Sequence, residues 1–389
     1  MINASPDPPR LADLDKVYDI AIIGAGIVGV ALGYFLQRMG CANVIILEKS
    51  KIGYGASGRN AGFLISGMAE AYSRLVVGMG RSGAREVTQA TLENHDLIET
   101  AIKENDIPCD YKKSGSFHLA ISGVERKELD DSVNLLLKDG FRAEFFGEEI
   151  NTKLGFGEYC GGYFNPCDGC LDPYAFVRGL ATGLNVAEGF DVRSISRKNG
   201  YVELSDGKSN VRAEMGVMAT NAYSPLLDDY FSQLVFPVRG QMMATDPDHP
   251  NAMEDSTYYA NFGYDYFRQP CKGVIMMGGL RNRFVRTEVG YEDSTTAELQ
   301  QGLENYVHRT IGVERYEVTA RWSGIMGNTI DGLPLVGALP HNNAVIAVVG
   351  CNGHGFGLGM KMAHDLSSAL LTSETSDLLS RFSLKRFLR

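Results

Sequence analysis

An α/β fold with a Rossmann-like dinucleotide-binding half is what the sequence predicts, and two neighbouring features carry that prediction. "DIAIIG" is a short apolar strand that runs into Gly24-Ala25-Gly26-Ile27-Val28-Gly29, a G-x-G-x-x-G turn. "IVGVALGYFLQRM" then has helical spacing of apolar positions, Gly40 ends that helix, "NVIILE" forms a second strand, and Glu48 stands nineteen residues after Gly29. Each part has a mechanical task. Gly24 makes the turn, Gly26 lets backbone approach a pyrophosphate, and Gly29 lets helix and strand pack closely. The helix N-terminus around Ile27 and Val28 offers free N–H groups and partial positive charge, and Glu48 can accept from ribose hydroxyls. The fingerprint alone does not separate NAD from FAD.

Bulk properties narrow the class further. A chain of 389 residues with 44% hydrophobic and 22% charged residues has the make-up of a soluble enzyme, and its 45 glycines imply many tight turns or close backbone approaches to a ligand. A net charge of −10 and a pI near 5.3 argue against a basic face for nucleic acid or anionic membrane. No apolar run reaches the roughly 18 residues of a membrane span. The first sixteen residues lack the apolar core of a signal peptide and read as a mobile tail. Seven cysteines, an odd number scattered along the chain, fit a reducing cytoplasm. Cys167-x-x-Cys170 with Cys160 nearby lacks a fourth ligand at finger-like spacing, so no metal is expected and two loop thiols remain the simpler reading.

After Glu48 comes "KSKIGYGASGRNAGFLISG", a Gly- and Ser-rich loop able to lie along a cofactor longer than its pyrophosphate. Farther on are "VELSDGKSNVRAEMGVMATNAYSPLL", a hairpin ending in a strand; "VRGQMMATDP"; "YFRQPCKGVIMMGGLRN"; "RWSGIMGNTIDGLPLVG"; and "NAVIAVVGCNGHGFGLGMKMAHDLSSALL". In order and spacing these resemble the FAD-dependent D-amino-acid oxidase family, which includes glycine oxidase, sarcosine oxidase and many amine and amino-acid dehydrogenases. The likeness runs from Tyr18 to about Arg386.

The resemblance implies a Rossmann-like FAD domain at 17–100, 171–225 and 321–389, with an antiparallel substrate sheet inserted from 101–170 and 226–320. "SGSFHLAI" and "YYANFGYDYF" read as strands of that sheet, and "DDSVNLLLKDGF" as a helix outside it. It also implies noncovalent FAD along Lys49, Ala56, Ser57, Arg59, Asn60, Ala61 and Gly62, with Val192, Ala219, Thr220, Asn221 and Gly324. The second glycine turn, Gly353-His354-Gly355-Phe356-Gly357, falls where a helix N-terminus faces the flavin's pyrimidine edge. The implied reaction is hydride transfer from a carbon beside an amine nitrogen to flavin N5, giving an imine that water hydrolyses, followed by reoxidation by O2 or another electron acceptor.

Departures from the family pattern bear on the substrate. Gly357 stands where sarcosine oxidases carry a lysine, and Met326 where glycine and D-amino-acid oxidases carry an arginine for the substrate carboxylate. Loss of that partner disfavours an α-amino acid held in the glycine-oxidase manner by about 2–5 kcal/mol. A plain amine, or an acid held by Arg268 or Arg281, becomes the alternative, although both arginines also read as solvated strand ends. The cysteine that links flavin in sarcosine oxidase falls near Gly324, and Cys351 reads as a small buried residue. Phe63, Tyr264 and Tyr266 are candidates for the pocket wall or for ordinary sheet packing; His354 reads as structural; Lys272 is the lysine nearest the oxygen-activating position. Two other functions fit the same fold: a 2-hydroxy-acid dehydrogenase, and a flavin subunit of a multi-subunit electron-transfer complex.

Overall fold

The computed structural model describes residues 16–247, 252–271 and 273–387. The expected tail, apart from Lys16, and Lys272 lie outside the described residues.

Val17–Ile23 is apolar along nearly its whole length because it lies inside a parallel sheet covered on both faces. It pairs in parallel with Val44–Glu48 on one side and Asn210–Met218 on the other. The eight-stranded sheet continues outward through Val186–Glu188 at one end, and through Asn342–Val349 and Leu335–Leu339 at the other. Ser194–Lys198 and Tyr201–Ser205 add an antiparallel flap to Asn210–Met218, completing the expected hairpin. Helix Ile27–Arg38 is buried on nearly every side because it is sandwiched between this sheet and helix Gly355–Thr372. Glycines permit that closeness: a Cβ on Gly359 would meet Val28 Cγ2 at 3.3 Å, and one on Gly33 would meet Ile46 Cδ1 at 2.8 Å.

A second eight-stranded sheet runs in the order Val318–Thr329, Val235–Thr245, Val274–Gly279, Asp265–Cys271, Thr257–Ala260, Ser116–Ala120, Gly161–Asn165, Glu144–Phe146. It is antiparallel except at one place. Thr257–Ala260 and Ser116–Ala120 pair in parallel, and that pair joins the two inserted stretches of chain. "YYANFGYDYF" thus supplies two strands and the turn between them. Strand Val318–Thr329 crosses the expected boundary at 321 and lies at the edge of this sheet, paired along its length with Val235–Thr245. Helix Gly123–Lys138 packs against Ser116–Ala120 and Gly161–Asn165 of this sheet and against helix Tyr72–Glu104, capped by Ser122 Oγ accepting from the Glu125 N–H. Phe117, Tyr258 and Phe267 stack behind the sheet, while Phe63, Ile65, Tyr259, Tyr266, Met242 and Trp322 fill the space between the two sheets.

Sequence reading leaves helix Tyr72–Glu104 undescribed. It is broken at Gly80, whose φ of 76° and ψ of 160° are not helical, and Gly78 and Gly80 dilute its apolar pattern. Its buried Asn94 reaches helix Gly355–Thr372, donating from Nδ2 to Phe356 O at 2.8 Å and accepting the Lys361 N–H at 3.1 Å.

Candidate active site

The C-terminal ends of Val17–Ile23, Val44–Glu48 and Asn210–Met218 open into one crevice, the place where open α/β sheets bind ligands. Two glycines there have no substitute. A Cβ on Gly29 would stand 1.9 Å from Gly24 O, and one on Gly24, whose φ is +103°, would stand 2.8 Å from Ala219 O. Gly29 therefore lies beneath the crevice, holding helix to strand, while Gly24, Gly26, Ile27 and Val28 line it. Glu48 accepts the Ala25 N–H on Oε2 and the Ser50 N–H on Oε1, both at 2.8 Å. Burial raises its carboxyl above the ordinary range. Each oxygen keeps a second lone pair for a ligand hydroxyl.

The loop after Glu48 builds the crevice more than it reaches into it. Ser57 Oγ accepts the Ile27 N–H at 2.9 Å and so fills one free donor of the helix start. Asn60 Nδ2 donates to Ala56 O and Ser57 O, and its Oδ1 accepts the Gly62 N–H at 2.7 Å. Arg59 donates to both carboxylate oxygens of Asp293 and to Ser323 O, and its guanidinium covers the Tyr54 ring at 4.1 Å. Lys49 sits over the Tyr223 ring at 3.6 Å. Ala56, Ala61, Val192, Ala219, Thr220 and Gly324 also line the cavity. Gly62 does not; its φ is +74° and a Cβ there would strike Leu171 O.

The second glycine turn follows Asn342–Val349. Gly350 and Gly353 have φ of +72° and +81°, His354 is the N-cap, and the helix begins at Gly355. Asn221 Oδ1 accepts the Gly350 N–H at 3.1 Å and the Cys351 N–H at 3.0 Å, so this residue of the first crevice ties the second turn in place. Gly357 has a steric reason: a Cβ there would stand 2.9 Å from Ile65 O. The backbone beside Phe63–Leu64 has taken the space that a lysine would need. Gly353, His354, Gly355, Phe356 and Gly357 all face the cavity. Burial pushes His354 down to about 4, so its imidazole is neutral near pH 7, with Nδ1 3.4 Å from Asn352 O. Burial also pushes the Cys351 thiol up to about 12, which keeps it protonated and a poor nucleophile toward a flavin.

One cavity of about 1430 Å³ connects the two turns and continues to the face of the second sheet. That exceeds the roughly 300–1,000 Å³ of a single small-ligand pocket. Cross-strand register sets its far wall. Tyr163, His118, Tyr259 and Tyr266 are successive neighbours across four strands, and the next position is Gly278. A Cβ on Gly278 would lie 2.3 Å from Tyr266 Cε2, so glycine lets that ring lie flat on the sheet. His118 is stacked between Tyr163 at 4.4 Å and Tyr259 at 5.8 Å. Its Nε2 faces the buried Asp168 Oδ2 at 3.9 Å. Phe63 stands edge-on to Tyr259 and Tyr266, and Tyr264 and Met326 also line the chamber.

Arg268, expected as a pocket candidate, is not in the cavity. It lies two residues beyond Tyr266 on the same strand, where the chain near Leu171 covers the sheet, and its Nη2 donates to Leu171 O at 2.9 Å. Arg281 is in the cavity instead, 4.7 Å from the centre of the Tyr264 ring and with no ion pair among the described residues. Sequence reasoning missed His118, Asp168 and Tyr259. The alternation of "SGSFHLAI" places His118 opposite Phe117 and Leu119, but which face meets a ligand depends on the neighbouring strands.

Two glycine turns, one acid at the end of the second strand and a chamber on an aromatic sheet face define a dinucleotide-dependent redox enzyme. Residues 19–369 match the family described as FAD dependent oxidoreductase, and the chain belongs to that family. It is 26% identical to the probable oxidoreductase OrdL of Haemophilus influenzae, over 93% of this chain and 85% of that one. It is 23% identical to the gamma-glutamylputrescine oxidoreductase of Escherichia coli, over 87% and 80%. The crystal structure of glycine oxidase from Geobacillus kaustophilus superposes with a TM-score of 0.81 at 23% identity, covering 96% of this chain and 99% of that one. The protein is an enzyme, and its cofactor is FAD. The glycine cradle, which added side chains would fill, and the acid beside it fit that cofactor. Among the described residues no group of His, Cys, Asp or Glu is arranged to hold a metal, and no helix is long and apolar enough to cross a membrane.

Proposed function

We propose that the enzyme oxidises the C–N bond of a small amino acid or carboxylate-bearing amine, with the carboxylate against Arg281. The observation that carries this reading is Arg281, which has no ion pair among the described residues and lines the same chamber as uncharged Met326 and Gly357, the positions where relatives grip carboxylates. FAD supplies, when bound, two-electron acceptance from the carbon beside the nitrogen. This chain's residues do the rest. Gly24–Gly29 and the start of helix Ile27–Arg38 hold the pyrophosphate, Glu48 the ribose, and the turn at 353–357 the reactive ring. The helix beginning at Gly355 brings partial positive charge to that end of the cavity, where negative charge gathers on reduction. Phe63, Tyr259, Tyr264 and Tyr266 form an apolar wall that limits water and orients the substrate carbon.

The FAD-binding part comprises 17–100, 171–225 and 321–389, and 101–170 with 226–320 forms the substrate part, the strand Val318–Thr329 serving both. O2 or another carrier accepts the electrons. The cysteine usage, with six described cysteines as thiols, supports a cytoplasmic setting.

The test is anaerobic. Flavin-loaded protein is mixed with glycine, sarcosine, L-proline, putrescine and lactate in turn. Bleaching by an amino acid, followed by recovery of colour when O2 or a quinone is admitted, is the expected result. Bleaching by lactate alone would replace the reading with hydroxy-acid oxidation, bleaching by putrescine alone would remove the carboxylate from it, and no bleaching by any amine would remove it.

A further inference from the structure

An amine substrate reaches the chamber mainly as an ammonium ion, whose nitrogen has no lone pair to support loss of hydride from the neighbouring carbon. Something must hold the displaced proton. Two histidines line the cavity. Burial keeps His354 uncharged and its Nδ1 lies near Asn352 O, which makes it a poor proton store. His118 differs in its surroundings. It is fixed in a stack between Tyr163 and Tyr259, so its ring is not free to turn.

Behind it lies Asp168, fully buried and built in from several elements. Ser66 N–H and Ser66 Oγ donate to Oδ1 at 2.8 and 2.6 Å, and Ser116 Oγ donates to Oδ2 at 2.5 Å. Asn165 Nδ2 in turn holds Ser66 Oγ at 2.7 Å. Oδ2 retains a lone pair on the side of His118 Nε2, 3.9 Å away, an ion-pair distance that a charged imidazole can close. His118 Nε2 is buried with no hydrogen-bond partner among the described residues, and the residue lines the cavity. The arrangement is a carboxylate, an oriented imidazole and an open cavity in sequence, the general-base pattern.

We propose that His118, backed by Asp168, takes the proton from the substrate ammonium in the chamber. The step balances simply: the N–H bond of R2CH–NH3+ breaks, a proton bonds to His118, and the electron pair stays on the substrate nitrogen. The imidazolium charge is met by Asp168. The other groups around His118 are consistent with this direction. Tyr163 and Tyr259 are raised by burial and stay neutral. His95, on helix Tyr72–Glu104 behind Asp168, is lowered by burial and adds no competing charge near pH 7. Arg281 is a cation lining the same cavity, which the substrate's carboxylate neutralises on binding.

The proposal rests on the amine reading, and its test separates the two. The rate of anaerobic flavin reduction is measured from about pH 6 to 10 for wild type and for His118→Gln, using whichever of glycine, sarcosine, L-proline or putrescine bleaches wild type. His118→Gln is expected to lose about a hundredfold near pH 7 and to approach wild type near pH 10, where free amine is present without a base. His118→Ala, supplied with imidazole, is expected to regain rate near pH 7. A loss that is equal at all pH values, or no loss, overturns the base while leaving the amine reading intact; no bleaching of wild type overturns both. Asp168→Asn is expected to show the same pH-dependent loss as His118→Gln, and a loss equal at all pH values, or none, would remove Asp168 from the pair.

Discussion

The two glycine turns, at 24–29 and at 350–357, look alike on paper and are held by different means. In the first, the tightest constraint is local, although Gly24 also meets Ala219 O and Ser57 Oγ holds the Ile27 N–H. Gly29 is required by Gly24 O, five residues earlier, and strand, turn and helix close on each other. In the second, nearly every constraint comes from far along the chain: Thr329 against Gly350, Ile65 O against Gly357, Asn221 and Asn94 bonded to the turn and its helix. The first turn is thus closed mainly by its own strand and helix, and the second is a junction where the sheets and the long helix meet. Substitutions should separate them accordingly.

The largest effect is expected at the first turn. Gly29→Val places a branched side chain against Gly24 O and should cost at least about 4 kcal/mol, giving apoprotein with a lowered Tm; flavin content and thermal unfolding measure it. A variant that keeps its flavin would show that helix and strand part more easily than the packing implies. Arg281→Met comes next. If the chamber holds a carboxylate there, apparent affinity for the reducing amino acid should fall by about 2–5 kcal/mol while FAD content stays constant. An unchanged half-saturation concentration would assign Arg281 to the Tyr264 ring alone.

The second turn also makes a pH prediction. His354 titrates at about 4 in the folded chain against an ordinary value of 6.5, so the unfolded chain binds its proton first as pH falls. Stability from this residue is complete above about pH 6.5 and is lost progressively down to about pH 4, by as much as about 3 kcal/mol. His354→Asn should flatten that part of the curve of urea midpoint against pH; an unaltered slope would place the acid lability elsewhere. The smallest effect is expected for Gly357→Lys, which restores a family side chain at the cost of pushing Ile65 aside. A loss of about 1–3 kcal/mol in unfolding free energy should accompany it, and a stabilised protein would contradict the steric reading.

The same contrast explains what was legible in the sequence. The first turn, its helix and Glu48 lie within thirty residues and obey a spacing rule, so the residues announce the crevice directly. The hairpin near 201–218 was legible through its likeness to the family pattern, and it too pairs neighbouring stretches. The chamber wall was not. Tyr163, His118, Tyr259 and Tyr266 come from four strands whose alignment includes the one parallel pair of the sheet, and no local pattern encodes that register. Arg268 and Arg281 show the limit at finer scale. Arg268 shares a face with Tyr266 but lies past the edge of the cavity, while Arg281 follows the end of its strand and folds back over Tyr264. Gly357 was visible as a departure, yet its cause, Ile65 O, is almost three hundred residues away.

Whether the two turns hold opposite ends of one FAD is tested most directly by the cofactor density in crystals of the flavin-loaded protein. Pyrophosphate is expected at Gly24–Gly29, ribose at Glu48 and the isoalloxazine ring between the 353–357 turn and the Tyr259–Tyr266 wall. A ring placed away from that turn, or density confined to the first crevice, would contradict that arrangement.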